Sequence, residues 1–138
     1  MIAALGLDVG SKRIGVAGCD GLGLIAIGIT TIWRSSFGED IAQLAAIIAD
    51  RQVKILVVGL PYTMDGNLGS QAKQVQKFAR RVAAVIELPI EYVDERLTSY
   101  VAEQMMIEAK ISVSQNKATI DRIAAAVILQ QWLDSRID

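Results

Sequence analysis

The stretch Ala4–Ala17, "ALGLDVGSKRIGVA", decides how this chain is read. An apolar run ends in one carboxylate, Asp8, and Gly10 follows two residues later. Lys12 and Arg13 then precede a second apolar run. Runs of Val, Ile and Leu punctuated by glycine read as strands, and strands this close in sequence pair antiparallel. A hairpin with a polar tip explains the pattern locally. A metal held by Asp8, beside a phosphate held by Lys12 and Arg13, explains it as well, and the surrounding chain has to be weighed.

Working outward, strands are expected over roughly Ile2–Val9, Arg13–Cys19 and Leu24–Ile32, an antiparallel meander. The period then changes. Ile41, Leu44, Ala45 and Ile48 fall on one helical face. Val53–Gly59, "VKILVVG", apolar apart from Lys54, is a run of the kind a strand buried on both faces shows. Ser70 is placed to cap a helix whose stripe is Val75, Phe78, Ala79, Val82 and Ile86. "LPIEYVDE" is a further strand ending at Asp94–Glu95. Helices follow from about Thr98 to Ala109 and from about Thr119 to Leu133, the latter apolar all round at its centre and so expected to be deeply packed. The order β-β-β-α-β-α-β-α-α predicts an α/β fold: a mixed sheet of three antiparallel strands and then parallel ones, with helices on both faces. No repeat or linker interrupts it, so one domain is expected over residues 1–138.

Composition narrows the chemistry. Of 138 residues 52 % are apolar, enough for a real core. The apolar runs, such as "IAAAVIL" at Ile123–Leu129, fall far short of the roughly 18 residues of a membrane span. No basic region precedes the first one, so no signal peptide is expected. The single cysteine, Cys19, cannot form an internal disulfide, and the cytoplasm is the expected compartment. The net charge of −1 lacks the basic excess of a non-specific nucleic-acid binder, so such contacts would use local patches. There is no histidine. That excludes Ser–His and Cys–His nucleophiles and imidazole bases, and with one cysteine it leaves no ordinary zinc site. Catalysis would rest on carboxylates, which prefer hard cations such as Mg²⁺ or Mn²⁺.

Sites in open α/β sheets form beyond the carboxyl ends of strands. Most of the 15 acids fall at surface positions of helices and loops, but Asp8 ends the first strand, Asp94 and Glu95 end the last, and Asp121 opens the final helix. Brought together, these carboxylates would raise one another's pKa, and a divalent cation would remove the cost. Two cations about 3.5–4 Å apart activate a water and stabilise the leaving oxygen of a phosphodiester. Taken singly, each acid has a plainer reading: a turn at Asp8–Gly10, a helix N-terminus complemented by Asp121, pairing of Asp94 or Glu95 with Arg96. Asp94 and Glu95 also point to opposite faces of a strand, and periodicity does not choose between them. The long connection containing Asp65, Gly66 and Asn67 either positions substrate or merely joins two elements. Lys73, Lys77, Arg80 and Arg81 face away from the apolar stripe, as a phosphate track or a solvated face. Trp33–Arg34 could stack on a base or be partly buried.

Five segments in order, "GLDVGSKRIGVA", "VVGLPYTMDG", "GSQAKQVQKFARRV", "VDERLTS" and "IDRIAAAVILQQWLD", resemble the YqgF (RuvX) family over nearly the whole chain. The resemblance implies a ribonuclease H-like fold. It implies a nuclease, either maturing the 5′ end of precursor 16S rRNA or resolving Holliday junctions in DNA. It further implies that Asp8, Glu95 (rather than Asp94) and Asp121 are the catalytic, metal-holding acids, with Mg²⁺ or Mn²⁺. Lys12, Arg13, Lys73, Lys77 and Arg96 are the candidate nucleic-acid contacts. One segment departs: "ISVSQNKATID" is often much more basic in the family, and here has only Lys117 after Lys110. Two other classes stay open. "LDVGSKRIGVA" also looks like the first phosphate loop of actin- and hexokinase-like nucleotide-binding domains, although no second such loop is present. A non-catalytic nucleic-acid-binding module is the other. RNA is the expected partner, and a monomer or weak dimer the expected state.

Overall fold

The hairpin forms where the opening stretch puts it. A computed structural model describes residues 2–63, 65–95, 98–110, 112 and 116–136. In it β1 (Ala4–Val9) and β2 (Arg13–Cys19) pair antiparallel with Asp8 opposite Gly15. The Gly10 N–H donates to the Arg13 carbonyl across the tip at 2.9 Å. On the far side of β2, β3 (Ala26–Trp33) pairs antiparallel, with a bulge at Val16/Ala17. On the other side of β1, β4 (Ile55–Leu60) and β5 (Ile90–Asp94) pair parallel, giving the order β3-β2-β1-β4-β5. Four helices complete the chain: α1 (Phe37–Arg51), α2 (Ser70–Ile86), α3 (Thr98–Glu108) and α4 (Lys117–Ser135).

The two-residue period of the strands sorts the core. Leu5, Leu7, Val9, Ile14, Val16, Leu56, Val58 and Leu60 pack with Leu44 of α1 and Val75, Phe78 and Val82 of α2. On the other face Ala4, Ala17 and Val57 lie beneath Ala125, Ile128, Leu129, Trp132 and Leu133 of α4. The expected burial of the last helix is therefore observed. It comes unusually close to the sheet: a Cβ added at Gly15 would sit 1.9 Å from the Asp121 carbonyl oxygen. Only a bare Cα lets the second turn of α4 cross β2 there, next to Asp8.

β1 begins at Ala4 and α4 at Lys117, each two residues from its expected start, and three further local expectations shift. β3 begins at Ala26, because the Asp20 carboxylate accepts from the N–H groups of Leu24 and Ile25, both at 2.8 Å, and holds them in the preceding loop. β4 begins at Ile55, because Gln52 (φ 52°) and Val53 still close α1, donating to the carbonyls of Ala49 and Ile48. The N-cap of α2 is Gly69, in extended conformation and without a side-chain bond, so Ser70 is the first helical residue and not the cap. Among the described residues no helix is long and apolar enough to cross a membrane.

Candidate active site

Strand register decides which acids meet. Leu7 and Val9 enter the core beneath α1 and α2, so Asp8 between them points to the α4 face. In the β4–β5 pair Gly59 lies opposite Val93 and Leu60 opposite Asp94. Val93 packs on the α4 side, and Glu95, two residues on, shares that face, whereas Asp94 falls on the other. The Glu95 N–H donates to the Leu60 carbonyl at 3.1 Å, carrying the extended backbone just past β5. A Cβ at Gly59 would lie 2.6 Å from Glu95 Oε2, so the missing side chain leaves the space in which this carboxylate lies over the sheet.

Asp8 and Glu95 are hydrogen-bonded to each other. Burial pushes the Asp8 carboxyl up to about 6, and the charge of Asp121 adds to this, against the Glu95 bond and the Arg13 charge. Burial likewise pushes Glu95 up to about 8, helped by the charge and hydrogen bond of Asp8 and then by the charge of Asp94. Desolvation, more than the expected mutual repulsion, is the larger cause in both. Near neutral pH the pair holds a proton, with Glu95 the donor.

Asp121 is in the first turns of α4, close enough for its charge to act on Asp8. Its Oδ2 lies 2.5 Å from Arg13 Nε in an ion pair. Among the described residues no three Asp, Glu, Cys or His side chains stand together so as to hold one metal ion; two acids meet and the third is turned to Arg13. The chemistry of the donors nevertheless fits a hard divalent cation. They are carboxylate oxygens only, and Asp8 and Glu95 bring them together on one face of the sheet beside the cleft.

The pair opens into a cleft of about 550 Å³, walled by Gly10, Tyr62, Thr63, Ser70 and Gln71. The connection between β4 and α2 thus forms one wall. Thr63 shapes it, its carbonyl accepting from the Gly66 N–H at 2.8 Å and its N–H donating to the Asn67 carbonyl at 2.9 Å. Past Gly10 and Gln71 a second hollow continues to Ser11, Arg34 and Gln74.

The sequence model described as "RuvX: Holliday junction resolvase" matches residues 2–135. The chain belongs to the RuvX family. Its relatives include proteins named "Putative pre-16S rRNA nuclease" from Trichormus variabilis and Synechocystis, 65 % and 64 % identical. Each comparison covers 98 % of this chain and 89 % of the relative. The T. thermophilus RuvC solved with a Holliday junction substrate superposes with a TM-score of 0.61 at 14 % identity, covering 99 % of this chain and 96 % of that one. The fowlpox virus resolvase solved with Holliday junction DNA gives 0.62 at 8 %, covering 99 % and 100 %. At such identities the likeness establishes the fold, which is ribonuclease H-like. This RuvX-family chain is a hydrolytic nuclease.

The remaining expected residues of the RuvX-family chain are scattered. Lys12 is exposed at the hairpin tip, and Lys73 and Lys77 are exposed on α2 outside the lining of the cleft. Arg96 lies outside the described residues. Sequence reasoning missed a supporting pair. Arg34, considered only as a neighbour of a stacking Trp, donates from Nη1 to the Gly10 carbonyl at 2.6 Å and lies over the Phe78 ring at 4.5 Å. It thereby ties the hairpin tip after Asp8 to α2. Its Nε is 3.7 Å from Asp40, an acid assigned to the surface that is only 2 % exposed. Asp40 accepts from the Ser35 N–H at 3.2 Å. The available signal was spacing: Asp40 stands four residues before buried Leu44, on the same face of α1.

Proposed function

We propose that this nuclease hydrolyses a phosphodiester bond over Asp8, Glu95 and Asp121, with the 5′ region of precursor 16S rRNA as its substrate. The observation that carries the reading is that strand register brings Asp8 and Glu95 together, half-buried, at an open cleft. The names of relatives 59–65 % identical support the choice of RNA. In this reading Asp8 and Glu95 would hold Mg²⁺ or Mn²⁺, joined by Asp121 once it leaves Arg13, and such a cation would supply positive charge to acidify a water and offset charge on the phosphate.

The chain's own residues do the rest. Asp8 and Glu95, fixed by strand register, set where the phosphate sits. Arg13 exchanges the Asp121 carboxylate for a phosphate oxygen of similar charge. Lys12, Lys73 and Lys77 contact the nucleic-acid backbone farther out, Arg96 is a further backbone contact, and the Tyr62–Thr63 and Ser70–Gln71 walls orient the strand. The protein acts as one domain over residues 1–138, as a monomer or weak dimer, in the cytoplasm.

Purified protein incubated with precursor 16S rRNA, with linear RNA and with four-way DNA junctions, in Mg²⁺, Mn²⁺ or chelator, tests this reading. Metal-dependent cutting of the precursor supports it. Exclusive cutting of junctions would replace it with resolution of Holliday junctions.

A further inference from the structure

We propose that Trp33 is a stacking platform for an unpaired nucleobase beside the cleavage site, so that the enzyme takes its substrate as a single strand there. The inference rests on the nuclease reading and narrows it. Ile32 is buried under α1 and α2, so Trp33, the next residue, projects from the opposite face, the one that carries Asp8 and Glu95. It is cross-strand partner to Arg13, whose guanidinium lies 5.4 Å from the indole centroid. That same guanidinium pairs with Asp121. Indole, cation and carboxylate therefore form one row across the end of the sheet.

The indole is 62 % exposed, whereas the second tryptophan, Trp132 of α4, is 7 % exposed and donates to Glu91. An aromatic left this open, with a cation already at the ring, has the composition of a single-strand site: a flat surface for the base and positive charge for its phosphate. The placement suits a strand entering the cleft. Asp8 pairs with Gly15, and Trp33 pairs with Arg13 two residues along β2. Two strand spacings across and two residues along give about 12 Å between Trp33 and Asp8, a gap that a nucleotide or two of extended chain spans. A base in a duplex is already stacked on its neighbours, so only an unpaired one is free to lie on Trp33. Lys12, exposed at the hairpin tip next to Arg13, adds charge on the same side.

Binding measured in chelator, without cleavage, tests this. The probes are an oligoadenylate strand and the same strand annealed to oligouridylate. The single strand is expected to quench tryptophan emission, and Trp33→Ser to weaken its binding by about 5- to 150-fold. Trp33→Phe should keep most of the affinity, and duplex binding should be the same for all three proteins. Emission from buried Trp132 reports that Trp33→Ser is folded. If Trp33→Ser binds the single strand as the wild type does, or if the duplex quenches as strongly, the inference is overturned; a changed sedimentation coefficient alongside unchanged RNA affinity would make the indole a protein contact instead. If the wild type binds neither probe, the nuclease reading falls with it. If the wild type binds and cuts RNA but Trp33→Ser is unaffected, only the stacking claim falls.

Discussion

At the scale of single residues, the Asp8–Glu95 pair makes the metal-free protein sensitive to pH in a definite direction. Both carboxyls hold their protons more tightly folded than unfolded, Asp8 up to about 6 from 3.8 and Glu95 up to about 8 from 4.5. The stability they contribute is complete below the unfolded values and is lost as pH rises through the folded ones. In chelator the melting temperature should therefore fall between pH 4.5 and about 8, a loss on the order of a few kcal/mol. Asp8→Asn should flatten that decline and melt higher than wild type near neutrality. A melting temperature that is flat or rising over this window contradicts the shared proton. Much of this pair was legible from the sequence. Asp8 stood out as an acid ending an apolar strand, but Glu95 and Asp94 were equivalent by periodicity. The resemblance favoured Glu95, and strand register explains why, because Glu95 shares a face with Val93 and Asp94 does not. Arg34 and Asp40 were hidden for another reason: their pairing bridges β3 and α1, and nothing local marks it beyond the helical spacing of Asp40 and Leu44.

Among the elements, the contact that places Asp121 is the crossing of α4 over Gly15. A methyl there would overlap the Asp121 carbonyl, a backbone atom that cannot swing aside. Gly15→Ala should cost about 3 kcal/mol or more, lowering the melting temperature by roughly 10 °C, and should reduce cleavage by moving Asp121. A variant as stable and active as wild type would show that α4 does not need this approach. The outer face of α2 is a separate question. Lys73→Gln with Lys77→Gln should reduce the slope of log K against log salt by about 1.4–1.8 if both touch phosphate; an unchanged slope makes them a solvated face. Element types and order could be read from the two periods, 2.0 and 3.6, because burial imposes them directly. Boundaries could not, where distant or loop groups set them. Asp20 holds the N–H groups ahead of β3, and the Gln130 side chain of α4 takes the Ala26 N–H at 2.8 Å.

For the molecule as a whole, the substrate and the oligomeric state are linked. Symmetric resolution of a four-way junction needs two sites on opposed strands, and so a firm two-fold dimer. The sequence suggested that the apolar faces are all used to cover the sheet. The structure leaves apolar side chains open at the β3 edge and the loop before it, where Leu22, Leu24, Ile25 and Ile27 are 54–78 % exposed, and also on α3, at Met105 and Ile107. Pattern alone does not reveal such an edge, since Leu24, Ile25 and Ile27 read as ordinary strand until the sheet order leaves β3 outermost. Sedimentation at micromolar concentration should still show a monomer or a weak dimer. A stable dimer that nicks opposed strands in concert would point to junction resolution. The central claim, hydrolysis at three carboxylates with a divalent cation, is tested most directly by cleavage of precursor 16S rRNA by the wild type and by folded Asp8→Asn, Glu95→Gln and Asp121→Asn. The wild type should cut in Mg²⁺ or Mn²⁺ and not in chelator, and each variant should lose about 100-fold or more of the rate. Cutting that survives chelator, or variants that cut as fast as the wild type, would contradict it.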